Sequence, residues 1–175
     1  MEDKKYTYQE LLEVIQRLRG ENGCPWDRVQ THDTLKQHLL EESYELIDAI
    51  NNQDIENMRE ELGDVLLQVL LHAQIAKEEK EFGMEEVIDE LAKKLIYRHP
   101  HVFNEIDGVD TPGKVQILWE ELKKKEKKET TVTESMDRVA KALPALIRTQ
   151  KIQKKGAKEG FFWESPIPIF DKVQE

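Results

Sequence analysis

Glu41-Glu42-Ser43-Tyr44-Glu45 and Glu60-Glu61-Leu62-Gly63-Asp64 are two short acidic clusters separated only by residues 46–59. Side chains three and four residues apart share one face of a helix, so Glu42 with Glu45 and Glu61 with Asp64 each form a convergent pair. A hairpin of two such helices brings up to six acids together, Glu41 and Glu60 included. Two carboxylates about 4 Å apart repel by roughly 4 kcal/mol in a surface-like dielectric, so an inward-facing cluster needs protons or cations. A set of carboxylates alone favours a hard ion, magnesium or manganese, over zinc. The competing reading is a pair of ordinary solvated helix faces.

The apolar residues weigh against solvated faces. Leu35, Leu39, Leu46 and Ile50 recur near helical spacing, with Leu40 and Ile47 broadening the stripe, and Leu62, Val65, Leu66, Val69, Leu70, Ala73 and Ala76 form a second, wider one. Both acidic clusters border these stripes, where a core is expected.

Helix signals continue along the chain and strand signals do not. Thr7 with Glu10 reads as a capping box opening a helix over Tyr8 to Arg19, which 20–23 terminates. Cys24-Pro25-Trp26-Asp27 predicts a constrained loop, with Thr31 or Asp33 capping a helix to Asn51. Asn51 to Gln53 is a turn, and Asp54 caps a helix to about Lys80. Met84 to Arg98 forms a further helix with Val87, Ile88, Leu91 and Leu95 facing inward, and Pro100 ends it. A loop over 104–113 leads to a helix from Pro112 toward Lys128. The run Lys123-Lys124-Lys125-Glu126-Lys127-Lys128 reads first as a solvated helix surface.

The 175 residues suit one domain with an appended segment. The net charge of −10 argues against direct nucleic-acid binding. No apolar run is long enough to span a membrane, Met1 to Tyr8 lacks the apolar core of a signal peptide, and Cys24 is the single cysteine; a cytoplasmic setting is expected.

Residues 145–163 echo 10–26, with Gly160-Phe161-Phe162-Trp163-Glu164 matching Gly23-Cys24-Pro25-Trp26-Asp27. Phe170 to Glu175 then resembles the approach to Glu41, so a second repeat is expected to begin here. The expected organisation is a domain over 1–129, a linker over 130–137 and the start of a second, truncated repeat over 138–175.

Cys24-Pro25-Trp26-Asp27, Gln30-Thr31-His32, the two acidic motifs and Lys94-Leu95-Ile96-Tyr97-Arg98-His99-Pro100-His101-Val102-Phe103, taken in order, closely resemble the MazG family of nucleoside triphosphate pyrophosphohydrolases. The resemblance covers roughly Tyr6 to Lys128. It implies an all-α fold with a four-helix-bundle core completed by dimerisation, and magnesium-dependent hydrolysis of a nucleoside triphosphate to monophosphate and pyrophosphate. It assigns Glu42, Glu45, Glu61 and Asp64 as metal ligands, Lys94 and Arg98 to the triphosphate, and Trp119 to the nucleotide. The general base is then Glu41 or Glu45, a choice the residues leave open. The implied role is broad-specificity housekeeping of the nucleotide pool. Two other readings stand beside this enzyme: a catalytically weak nucleotide-binding or regulatory repeat, and a structural helical dimerisation domain. Trp26 is either a plug of the bundle end or a base contact, and His38 and His72 read as packing groups near the acids.

Overall fold

The computed structural model describes residues 4–104, 106–127, 131–161 and 165. They are all-helical, with no strand among them: α1 (Tyr8–Arg19), α2 (Pro25–Val29), α3 (His32–Asn51), α4 (Ile55–Glu78), α5 (Met84–Arg98), α6 (Pro100–Phe103), α7 (Pro112–Glu126), α8 (Val132–Asp137) and α9 (Ala145–Lys158). No helix among them is long and apolar enough to cross a membrane. The chain divides into two compact units, Met1–Lys93 and Lys94–Glu175.

In the first unit, local chemistry sets the helix starts. The Thr7 hydroxyl accepts from the Glu10 N–H while the Glu10 carboxylate accepts from the Thr7 N–H, satisfying two donors that the first turn leaves free. Thr31 and Thr34 make the same reciprocal pair before α3, and the Asp54 carboxylate caps α4 through the Asn57 N–H. Between α3 and α4 the chain turns through Gln53 at φ 56°.

The hairpin of α3 and α4 is the frame of this unit, and α1 packs along α4. Ile15, Leu35, Leu70, Leu71 and Ile75 are buried together, with Leu11, Leu12, Leu18, Leu67 and Met84 packed against them. The expected helices over 8–19 and 84–98 are present at those bounds, α3 ends at Asn51 as expected with Thr31 rather than Asp33 as its cap, and α4 stops at Glu78, just before Lys80 at φ 63°.

The segment expected as a loop after Gly23 contains α2 instead. Pro25 supplies a preset φ at its first turn, and the Arg19 guanidinium holds its far end by donating to the carbonyls of Asp27, at 2.6 Å, and Gln30, at 3.1 Å. Gly23 makes the entry possible. A Cβ there would lie 2.1 Å from the Leu18 carbonyl oxygen and 2.5 Å from that of Arg17. Gly23→Ala is therefore expected to destabilise the unit by about 2 kcal/mol, since backbone must move to admit the methyl group, and urea denaturation measures it.

Of the apolar residues expected to face inward on α5, Val87 is half-buried and the other three are not covered by this chain's described residues. Ile88, Leu91 and Leu95 are exposed, as are Leu40, Ile47, Ile50 and Leu62 on the hairpin. Periodicity requires each helix to have an apolar face, and says nothing of what covers it.

In the second unit, Thr111 caps α7 and Thr131 opens α8 with a capping box to Glu134, so residues 132–137 of the expected linker are helical. Residues 100–103 form the short helix α6 directly after α5. The helix of the second echo is present as α9; Phe162 to Glu164 and 166–175, which complete that echo, lie outside the described residues.

Candidate metal centre

One carboxylate oxygen each from Glu42, Glu45 and Glu61 lie within 4.8 Å of one another. The hairpin produces this convergence: Glu42 and Glu45 sit one turn apart on α3, and Glu61 faces them from α4. Glu61 is buried and Glu42 half-buried, while Glu45 stands at the exposed edge. Asp64, the fourth expected ligand, is half-buried one turn beyond Glu61 and is not one of the three convergent carboxylates; its charge acts on both Glu42 and Glu61.

Burial pushes the Glu42 carboxyl above its ordinary range, and the neighbouring charges of Asp64 and Glu45 push it further. Glu61 is raised in the same way, by burial first and then by Glu45 and Asp64. The Glu61 Oε2 atom is buried with no hydrogen-bond partner. An ionised carboxylate only accepts, so a buried oxygen facing other carboxylates is satisfied by a proton or a cation. This donor set fits a hard divalent ion: all oxygen, multiply charged, and open on the Glu45 side.

Glu41 is not one of the three convergent carboxylates; it accepts from Gln37 Nε2 at 2.8 Å and lies 3.5 Å from His38 Nδ1. Glu60 is exposed. His38 touches Trp26 edge-on, with ring centroids 5.7 Å apart, and Trp26 is half-exposed. Gln68 escaped the sequence reading because it is neutral. It lies four residues after Asp64 on the same face, buried, with Oε1 unpartnered.

The second unit holds the three other expected residues. Arg98 is buried; its Nε donates to a Glu126 carboxylate oxygen at 2.8 Å, and its guanidinium lies 5.0 Å from the Trp119 ring centroid. Lys123 Nζ lies 4.9 Å from the same centroid. Lys94, one turn before Arg98 on α5, is exposed.

A histidine pair also went unforeseen. His32 Nδ1 and His72 Nδ1 are 2.7 Å apart, with ring planes 3° from parallel and centroids 5.0 Å apart. A ring atom lies about 1.2 Å from an imidazole centroid, so this separation is close to the largest that the nitrogen contact permits. The rings therefore meet edge to edge in nearly one plane, one neutral imidazole donating to the other. Burial, and then the charge of His32, hold His72 below the usual imidazole value. A depressed folded value means the unfolded chain binds the proton more readily. The pair's contribution is thus present above the ordinary imidazole range and lost as pH falls through the folded value. Thermal denaturation without divalent ions is expected to give a lower Tm at about pH 5 than at about pH 7, with a smaller difference in His72→Phe.

Two paired helices thus gather three carboxylates around a buried, unpartnered oxygen. Residues 30–103 match the MazG nucleotide pyrophosphohydrolase domain. The chain is 42% identical over 175 residues to the nucleoside triphosphate pyrophosphohydrolase/pyrophosphatase MazG of Thermotoga maritima, covering 100% of this chain and 66% of that protein. It is 43% identical over 166 residues to the nucleoside triphosphate pyrophosphohydrolase of Escherichia coli, covering 94% of this chain and 63% of that one. The crystal structure of a MazG-related protein from Thermotoga maritima superposes with a TM-score of 0.56 at 32% identity, over 66% of this chain and 98% of that one. The chain belongs to the MazG family. It spans about two thirds or less of the length of these curated relatives.

Proposed function

We propose that this protein hydrolyses nucleoside triphosphates to the monophosphate and pyrophosphate in the presence of magnesium, with manganese as a substitute. The observation that carries the reading is the Glu42, Glu45 and Glu61 trio, with the buried oxygen of Glu61 left without a donor. The names borne by the relatives from Thermotoga maritima and Escherichia coli support it.

In this reading Glu42, Glu45, Glu61 and Asp64 hold the ion. When bound, magnesium neutralises phosphate oxygens and acidifies the attacking water. Glu45, exposed at the edge of the cluster, is the better placed of the two candidate bases to take the proton of a water attacking the α-phosphorus, because Glu41 is engaged by Gln37. Lys94 and Arg98 bear the triphosphate charge, the planar guanidinium offering two parallel donors. Arg98 exchanges Glu126 for phosphate when it does so, and Trp119 lies against it.

The same reading makes the protein a cytoplasmic homodimer of broad nucleotide specificity that binds no nucleic acid. The exposed Leu40, Ile47, Ile50 and Leu62 support the dimer, since a second copy packed there removes them from water. Residues 1–129 are then one catalytic domain, 130–137 a linker and 138–175 the start of a second copy, supported by the echo of 10–26 in 145–163.

The test is a panel of nucleoside triphosphates with magnesium, reading nucleotide and phosphate products together by chromatography. Monophosphate with pyrophosphate supports the proposal. Diphosphate with orthophosphate as the primary products contradicts it.

A further inference from the structure

The two units differ in charge. Unit Met1–Lys93 contains 23 acidic and 10 basic residues, a net of −13, whereas Lys94–Glu175 contains 13 acidic and 16 basic, a net of +3. Much of that basic character gathers in one place. Among the described residues, a cavity of about 750 Å³ between α7, α8 and α9 is lined by seven lysines and one arginine but two carboxylates.

The arrangement follows from helical spacing. Lys151, Lys154, Lys155 and Lys158 recur at intervals of three and four on α9, forming one face. Lys124 on α7 and Lys127, the residue that caps its end, line the same cavity. The two carboxylates are already engaged: Glu120 accepts from Lys158, and Glu159 lies 3.6 Å from Lys124. Lys127, Lys151, Lys154 and Lys155 have no carboxylate partner at ion-pairing distance among the described residues. The half-buried Lys155 donates instead to the hydroxyl of Ser135, which is buried. Two facing rows of ammonium groups repel one another, and a neutral hydroxyl offsets little of that charge.

We infer that this cavity binds a polyphosphate chain, inorganic or the tail of a nucleotide, through lysines of α7 and α9, none of which belongs to the acidic cluster. Excess charge in a cavity favours a compact ligand carrying several phosphates over a single anion. An extended nucleic acid is disfavoured because it brings further phosphates toward a chain of net charge −10, beyond the reach of a local cluster.

Calorimetric titration of inorganic tripolyphosphate and of ATP, each with a chelator present, tests the inference without calling on the acidic cluster or on turnover. Trp119, placed against the nucleotide in the proposed hydrolysis, also lines this cavity, so the lysine variants of α9, rather than binding alone, separate this inference from that reading. Both ligands are expected to bind, with affinity falling steeply between about 50 mM and 200 mM salt. The double variant K151E/K154E weakens binding at least about tenfold, while the control K36E/K93E, with the same charge change on other helices, does not. Both variants keep the helical circular dichroism of the parent, and K154Q alone gives a smaller loss in the same direction. Tighter binding of ATP identifies a nucleotide tail, and equal binding identifies the phosphate chain alone. No binding, equal weakening by the control, or tighter binding of a single-stranded oligonucleotide overturns the inference.

Discussion

Glu42→Ala is expected to lower kcat/KM for magnesium-dependent triphosphate hydrolysis by at least about 100-fold, while leaving the helical fold as stable as before or more so. The two halves of this result have one cause. Glu42 is half-buried beside Glu45, Glu61 and Asp64, so without a cation it is a desolvated charge among like charges. Its removal relieves repulsion in the cation-free protein and deletes one ligand of the proposed ion. A 100-fold loss corresponds to about 2.7 kcal/mol of transition-state stabilisation, within the range for a single charge-stabilising group. Asp64→Ala is expected to behave in the same way, because Asp64 supplies a leading neighbouring charge on Glu42. Steady-state kinetics and circular dichroism on the same preparations measure both halves. A variant that unfolds, or one that turns over at the parent rate, contradicts the ligand assignment.

The largest stability effect is expected at Arg19. Its side chain is 5% exposed and makes bonds with three partners: Nε and one terminal nitrogen donate to the Glu78 carboxylate at 2.7 to 3.2 Å, and the other terminal nitrogen donates to the carbonyls of Asp27 and Gln30. One guanidinium thus ties the end of α1 to α4 and closes α2. Glu78 is partly exposed, so some of its charge is recovered by water when Arg19 is lost. The carbonyls and the packed aliphatic stem are not compensated in that way. Arg19→Ala is expected to destabilise the protein by about 3 kcal/mol, and Arg19→Lys by nearly as much, because one ammonium cannot span both the carboxylate and the two carbonyls. Urea denaturation of both variants decides the matter; a lysine variant as stable as the parent means that charge alone is needed there.

What the residues reveal before folding depends on how far apart the partners lie. The starts of α1, α3 and α4 are written within four residues, in Thr7 with Glu10, in Thr31 and in Asp54. The acidic cluster is almost as local, since one hairpin carries both motifs and helical spacing fixes which carboxylates converge. The Arg19–Glu78 pair joins residues 59 apart and the His32–His72 pair residues 40 apart, and no periodicity predicts either. The helical state of α2 shows the same limit, because its far end is held by Arg19 from another helix. The lysine run of α7 reads as solvated surface until α9 is seen to carry a second basic face on the same cavity. For α5, the spacing of Ile88, Leu91 and Leu95 identifies an apolar face, yet all three are exposed, because periodicity does not encode the covering partner.

In the proposed reaction, carboxylates of α3 and α4 support attack of water on the α-phosphorus of a nucleoside triphosphate. Hydrolysis in heavy-oxygen water, with mass analysis of both products, tests it most directly. Label is expected in the nucleoside monophosphate and not in pyrophosphate, with no labelled product above background from Glu42→Ala. Label in the pyrophosphate, or a released orthophosphate that carries it, contradicts the account.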